Sequence, residues 1–192
     1  MSFPLMPVMI TSFGIPSPQV YSSPGTYSFV VPLGVTAVTI SASGGAGGGA
    51  SGWTSTSGGG KGEPVVYTPQ YGGDGGSAAS VTKALSTTPG ETLTVVVGSG
   101  GAGGAAPGAG VYGTATSGSA GTDSTVTQSA VVVARADAGF GGSQYYDGAG
   151  GTTAASVGDT KTAGVAGAGG AGGYGNTSAG TAGVSGSVTI AW

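Results

Sequence analysis

Seven carboxylates are spread along the chain, at Glu63, Asp74, Glu91, Asp123, Asp137, Asp147 and Asp159. A pair of them at the right separation would have the chemistry for cleaving a glycosidic bond, but their wide spacing in sequence predicts no such pair. Asp74 and Asp147 each precede a glycine, the place from which an aspartate caps a turn backbone. A calcium loop would need a D-x-D-x-D-G pattern, and none occurs. Gly98-Ser99-Gly100-Gly101-Ala102-Gly103 matches G-x-G-x-x-G, follows a strand-like segment and has Asp123 downstream, the outline of a dinucleotide fingerprint. The match is expected by chance in so glycine-rich a chain, because Ala105-Ala106-Pro107-Gly108 stands where a helix N-terminus must hold the pyrophosphate. Gly58-Gly59-Gly60-Lys61-Gly62 lacks the Ser or Thr that a P-loop carries after lysine. With no cysteine and no histidine, the chain has no thiolate nucleophile, imidazole base, disulfide or soft metal site. The expectation is therefore no catalytic residue, no metal, no cofactor and no enzymatic activity.

Charge narrows the partners. The four cations Lys61, Lys83, Arg135 and Lys161 are scattered and the net charge is −3, so neutralisation of phosphates, and with it nucleic-acid binding, is not expected. The opening MSFPLMPVMI has no basic residue and is interrupted by Pro4 and Pro7, which makes a poor signal peptide. No apolar run is long enough to span a bilayer, so no membrane insertion is expected. The residues best suited to recognition are aromatics in glycine-rich surroundings: Trp53, Tyr67, Tyr71, Tyr112, Tyr145, Tyr146 and Tyr174. Tyrosine on Ser- and Gly-rich loops is how antibody paratopes bind. The alternative for the same rings is packing over glycine backbone.

The elements that must position these rings are strands. Tyr27, Phe29 and Val31 alternate with smaller residues in Thr26 to Val31, Pro32-Leu33-Gly34 makes a turn, and Val35 to Ile40 is rich in β-branched residues, which predicts a hairpin. Further strands are predicted at Ala78 to Leu85, Glu91 to Val97, Val126 to Ala134 and Ser187 to Trp192. Leu93, Val95 and Val97 share one face, as do Val188, Ile190 and Trp192, the pattern of a two-sheet sandwich. Arg135 and Asp137 fall on one face and are expected to form an exposed pair of small energy. Every candidate helix is broken by glycine or proline, so no helix is expected.

The chain has 45 glycines, and its glycine runs fall at Gly44 to Gly52, Gly58 to Gly62, Gly72 to Gly76, Gly98 to Gly110, Gly139 to Gly151 and Gly164 to Gly175. Ordering a glycine costs about 0.5–1 kcal/mol relative to alanine, so dense backbone hydrogen bonding or burial against partner chains must compensate. Stretches such as GGAGGG come close to the three-residue turn of a polyproline-II coil. Packed polyglycine-II layers and flexible linkers are the two alternatives. Pro4, Pro7, Pro16, Pro18 and Pro24 mark residues 1–23 as an extended arm whose Phe3, Leu5, Met6, Val8, Met9, Ile10 and Phe13 need a surface to cover them. That surface is either a partner or an edge of this domain, residues 24–192. The fold class expected is all-β, an antiparallel, jelly-roll-like β-sandwich with long glycine-rich loops able to form polyglycine-II coils.

The phrase from Pro24 through Tyr27-Ser28-Phe29-Val30-Val31-Pro32, Gly34-Val35-Thr36 and Val38-Thr39-Ile40 into Gly44-Gly45 resembles the opening of the glycine-rich domain found in bacteriophage tail proteins. Thr88-Pro89-Gly90-Glu91, running through Thr94-Val95-Val96-Val97 into Gly98, looks like that domain's second landmark, and Gly183 to Trp192 like its closing strand. The resemblance covers Pro24 to Trp192. It implies a structural virion protein of a tailed phage, a minor tail, tail-tip or fibre protein, often a homotrimer, that touches a host-surface glycan or protein. Its other partners would be phage tail proteins, reached through Phe3, Leu5, Met6, Met9, Ile10 and Phe13 of the arm. The chain departs from the polyglycine-sandwich adhesins in its shorter, less regular Gly-Gly-X runs, and it lacks a fibre shaft. Three rival readings are a purely architectural tail or capsid decoration protein, a bacterial surface protein, and a carbohydrate-cleaving tailspike domain.

Overall fold

The computed structural model describes residues 17–192, and the docking candidates Phe3, Leu5, Met6, Met9, Ile10 and Phe13 lie outside them. The described residues contain eleven strands and no helix: β1 (Gln19–Tyr21), β2 (Gly25–Val30), β3 (Ala37–Ser43), β4 (Trp53–Gly58), β5 (Val65–Gln70), β6 (Ser80–Ser86), β7 (Thr92–Val97), β8 (Ser124–Gln128), β9 (Val131–Ala136), β10 (Thr160–Thr162) and β11 (Ser187–Ala191). One antiparallel sheet has the order β1-β11-β3-β6-β10, a second β2-β7-β8-β9, and β4 pairs with β5 alone. The two larger sheets pack face to face. Their apolar faces meet in a core of Phe29, Val31, Val38, Ile40, Leu93, Val95, Val126, Val188 and Ile190, all but closed to solvent. The sandwich takes in Gln19–Tyr21, which pairs with β11 inside the segment read from sequence as arm.

Two strand expectations are corrected. The predicted hairpin over Thr26 to Ile40 does not form, since β2 pairs with β7 and β3 with β11 and β6, in opposite sheets. A hairpin would set the apolar faces of both strands on the same side of one sheet. Crossing at Pro32 lets Phe29 and Val31 face Val38 and Ile40 across the core, so each face covers the other. The single strand predicted over Val126 to Ala134 is two, β8 and β9, joined by Ser129-Ala130 with φ of 48° and 66°. Positive φ at both central residues is the twist-matched hairpin turn that Asn-Gly usually signals, and Ser-Ala carries no such signal.

The glycine segments form a second, different core. Along residues 44–52 the N–H groups point outward in three directions in rotation. Gly44, Gly47 and Ala50 donate to Ala79, Gly76 and Gly73; Gly45, Gly48 and Ser51 to Thr122, Ser119 and Thr116; Ala46, Gly49 and Gly52 to Val184, Thr181 and Ser178. The carbonyls of the same coil accept from three further segments: Gly139 and Gly142 bond to Gly45 and Gly48, Gly101 and Gly104 to Ala46 and Gly49, and Gly170 and Gly173 to Gly47 and Ala50. A three-residue period in bonding direction is that of a threefold extended coil, which has no internal hydrogen bonds and must bond to neighbours.

Bonds between the six neighbours close them into a ring around 44–52, in the order 73–79, 137–143, 116–122, 98–104, 178–186 and 169–173, alternating in direction. Six of the seven coils are direct continuations of sandwich strands: β3 runs into 44–52, β7 into 98–104 and β9 into 137–143, while 73–79 runs into β6, 116–122 into β8 and 178–186 into β11. The sandwich therefore sets where each coil starts. Close approach explains the composition, for a Cβ at Gly45 would fall on the Ser99 carbonyl and one at Gly47 on that of Phe140. In the 178–186 coil one glycine in three suffices: Gly180 and Gly183 turn their bare Cα toward Gly49 and Ala46 of the central coil.

Candidate functional site

Where the lattice ends away from the sandwich, four connections cap it: the β4–β5 hairpin with Tyr71 directly after it, residues 105–115, residues 144–147 and residues 174–177. They are tied to each other. Gly113 donates to the Thr54 carbonyl, Gly108 to that of Asn176 and Gly175 to that of Gln70. The Gln144 amide donates to the Gly113 carbonyl and to the Tyr145 hydroxyl, both at 3.0 Å.

All seven aromatic candidates sit on this cap, and they fall into three clusters. Trp53 meets Tyr145 edge-on with centroids 5.3 Å apart, and Tyr145 meets Tyr146 at 6.5 Å. Tyr67 packs on Tyr112 at 4.8 Å, and Tyr71 on Tyr174 at 4.5 Å. Such pairs are worth about 0.5–1.5 kcal/mol beyond burial, so each ring gains support from another ring. The rings stay open to solvent all the same: Tyr71, Tyr145 and Tyr146 are 70%, 66% and 75% exposed.

Trp53 and Tyr67 differ in placement from the sequence expectation, which put them on loops. Trp53 opens β4 and Tyr67 lies in β5. The β4–β5 ladder pairs Trp53 with Gln70 and Gly58 with Val65, and the run Gly58 to Gly62 makes its turn, with positive φ at Gly58, Gly59 and Gly62. Period-2 alternation is missing because every residue from Val65 to Pro69 is exposed.

A cleft of about 310 Å³ opens within the cap, lined by Trp53, Gln70, Tyr71, Gln144, Tyr145 and Asp147 together with the Gly72–Gly73 backbone. No lysine or arginine lines it. Asp147 Oδ1 accepts from the Asp74 backbone N–H at 2.8 Å, and Asp74 Oδ1 accepts from Gly172 N–H. Both aspartates do the backbone capping expected of them, but between coils rather than within one turn. The Trp53 indole N–H is buried without a partner. Sequence reasoning missed Gln70 and Gln144, although each directly precedes a candidate tyrosine, in Gln70-Tyr71 and Gln144-Tyr145-Tyr146. An amide beside an aromatic on a turn was the available signal.

A second cleft, of about 370 Å³, lies where sandwich meets lattice and includes Asp123, Arg135, Asp137, Phe140 and Thr152. The β8–β9 hairpin brings Asp123 and Asp137, distant in sequence, to the two sides of Arg135. The predicted pair of Arg135 with Asp137 forms, at 3.3 Å, but its exposure is corrected, since the Asp137 side chain is only 12% exposed, and Asp123 is a second, closer partner at 2.7 Å. Each carboxylate is also fixed by the fold, as Asp123 Oδ1 accepts from Ala138 N–H and Asp137 Oδ2 from the Thr152 hydroxyl. This network is a clamp that holds the 137–143 coil where it leaves β9.

Among the described residues no cluster of carboxylates has the arrangement of a metal site, and no helix could cross a membrane. In comparisons with known proteins, no protein-family model and no curated protein matches the chain.

Proposed function

We propose that this chain is a structural virion protein of a tailed bacteriophage, a minor tail, tail-tip or fibre protein, whose lattice cap adheres to the host surface. The observation that carries this reading is the placement of Trp53, Tyr67, Tyr71, Tyr112, Tyr145, Tyr146 and Tyr174. Rings scattered over more than a hundred residues of sequence are gathered on one end of the glycine lattice. The likeness of the strand phrases to glycine-rich tail domains supplies the phage context. Rigid aromatic anchors lose little conformational entropy on binding. Several copies, as in a homotrimer, would turn weak contacts with a surface glycan or protein into firm attachment by multivalency.

A pull-down of the purified, size-defined protein on intact host cells and envelope fractions tests this, with the Tyr145→Ala/Tyr146→Ala double variant as control. Saturable binding that the variant loses supports the reading, and absence of binding by the assembled protein overturns it. The architectural alternative draws on the outer face of the larger sheet. There Ala37, Thr39 and Ser41 of β3 and Thr82, Ala84 and Ser86 of β6 are exposed, uncharged and small, as suits a surface laid against a neighbouring protein.

A further inference from the structure

The cap cleft has a chemistry narrower than general stickiness. We infer that it is a subsite for one neutral hexopyranose ring and that its charge turns acidic sugars away; this rests on the adhesion reading above. Its volume of about 310 Å³ is at the low end of the small-molecule range of about 300–1,000 Å³, which suits a single ring. A pyranose presents C–H faces and hydroxyl edges. Trp53, Tyr71 and Tyr145 supply aromatic surface for the first. For the second, a planar amide accepts and donates side by side, and an ionised carboxylate accepts from a hydroxyl.

The amide available for this is Gln70, since that of Gln144 is engaged by Gly113 and Tyr145. Gln144 is a positioning residue that holds the Tyr145 ring. Asp147 has one oxygen committed to the Asp74 N–H and the other left to accept from a sugar hydroxyl. Its charge has no cation beside it in the cleft. Lys61 sits in the turn of the β4–β5 hairpin, at the opposite end of the ladder from the Trp53–Gln70 rung. The other cations belong to the sandwich, where Lys83 and Arg135 are paired with aspartates and Lys161 lies on β10. A carboxylate or phosphate on the sugar would therefore meet uncompensated like charge, with desolvation of both groups added.

Ligand-observed NMR on the intact protein tests the inference, with methyl glucopyranoside, methyl galactopyranoside and methyl mannopyranoside as neutral probes and methyl glucuronopyranoside as the acidic one. Saturation transfer to at least one neutral probe is expected, with a Kd on the order of 1 mM and none to the glucuronide. Gln70→Ala should weaken that binding at least tenfold. Asp147→Asn keeps an oxygen for the Asp74 N–H while removing the charge, so it should admit the glucuronide; an unchanged exclusion would overturn the charge argument. If no neutral probe binds while the protein still saturates host cells, the sugar subsite is wrong and adhesion survives. If the glucuronide binds the unaltered protein as well as the neutral sugars do, the selectivity is wrong. Failure to bind both cells and probes removes the adhesion reading and the subsite together.

Discussion

The sandwich and the glycine lattice are two cores in one chain, built on opposite rules. In the sandwich, side chains supply the cohesion: Phe29, Ile40, Leu93 and Ile190 are buried between sheets and lose their contact with water. In the lattice, the absence of side chains supplies it. Coils approach until each N–H of residues 44–52 reaches a carbonyl of a neighbour. A net gain of about 0.5–1.5 kcal/mol per hydrogen bond offsets a cost of about 0.5–1 kcal/mol per ordered glycine. Side-chain packing tolerates volume changes by local shifts, whereas the lattice has only backbone to move, and moving one coil breaks bonds to several others.

The sharpest break of that comparison is a single methyl group. Gly47→Ala sets a Cβ onto the Phe140 carbonyl in the fully surrounded coil. It should cost more than about 4 kcal/mol or abolish soluble folding, read from the urea midpoint and yield. The same change at Gly34, which has open space around it but a φ of +85°, should cost only about 1–2 kcal/mol, the left-handed backbone penalty. Equal effects at the two positions would mean that the lattice is not close-packed.

In the sandwich, Leu93→Ala empties fully buried volume and should destabilise by about 2–5 kcal/mol, measured by the same urea titration. Its loss should be shared by the lattice, because the coils are extensions of the strands. Hydrogen exchange sharpens this point: the amides of Gly47, Gly48 and Gly49 should exchange within about tenfold of that of Ile40 in β3. Exchange of those glycines at loop rates would make the lattice a separate, weaker unit.

The smallest expected effect is electrostatic. The hydrogen bond from the Lys83 ammonium, and then that from the Ala84 N–H, hold the Asp159 carboxyl below the usual carboxylate range. A depressed folded pKa contributes stability that is present above the unfolded value and lost as the pH falls through the folded one. Asp159→Asn should therefore lower Tm slightly at pH 7, with the difference shrinking as the pH falls below the usual carboxylate range. A Tm difference that persists in acid would assign the effect to packing at the β6–β10 edge instead.

Much of the sandwich was legible because β-branched alternation reports burial directly. The faces of Leu93, Val95 and Val97 and of Val188 and Ile190 are buried as their spacing predicts. Which strand pairs with which was not legible. The turn at Pro32 fits a hairpin and a crossing between sheets equally well, and only long-range burial chooses between them. The seven aromatics could be picked out by type, but not their grouping. Trp53 and Tyr145 meet because their loops leave neighbouring coils at the same end of the lattice.

By itself the sequence determined that this protein is all-β, has none of the side chains for thiol or imidazole chemistry, and must bond its glycine backbone to something. Only the tertiary structure decided what that something is. A glycine run carries no side chain to mark its neighbour, so its partners are set by where the strands before and after it are held. The same physics placed Gln70 and Asp147 in one cleft: Gln70 stands just before the 73–79 coil and Asp147 just after the 137–143 coil, these two coils are bonded to each other, and no local pattern records that adjacency.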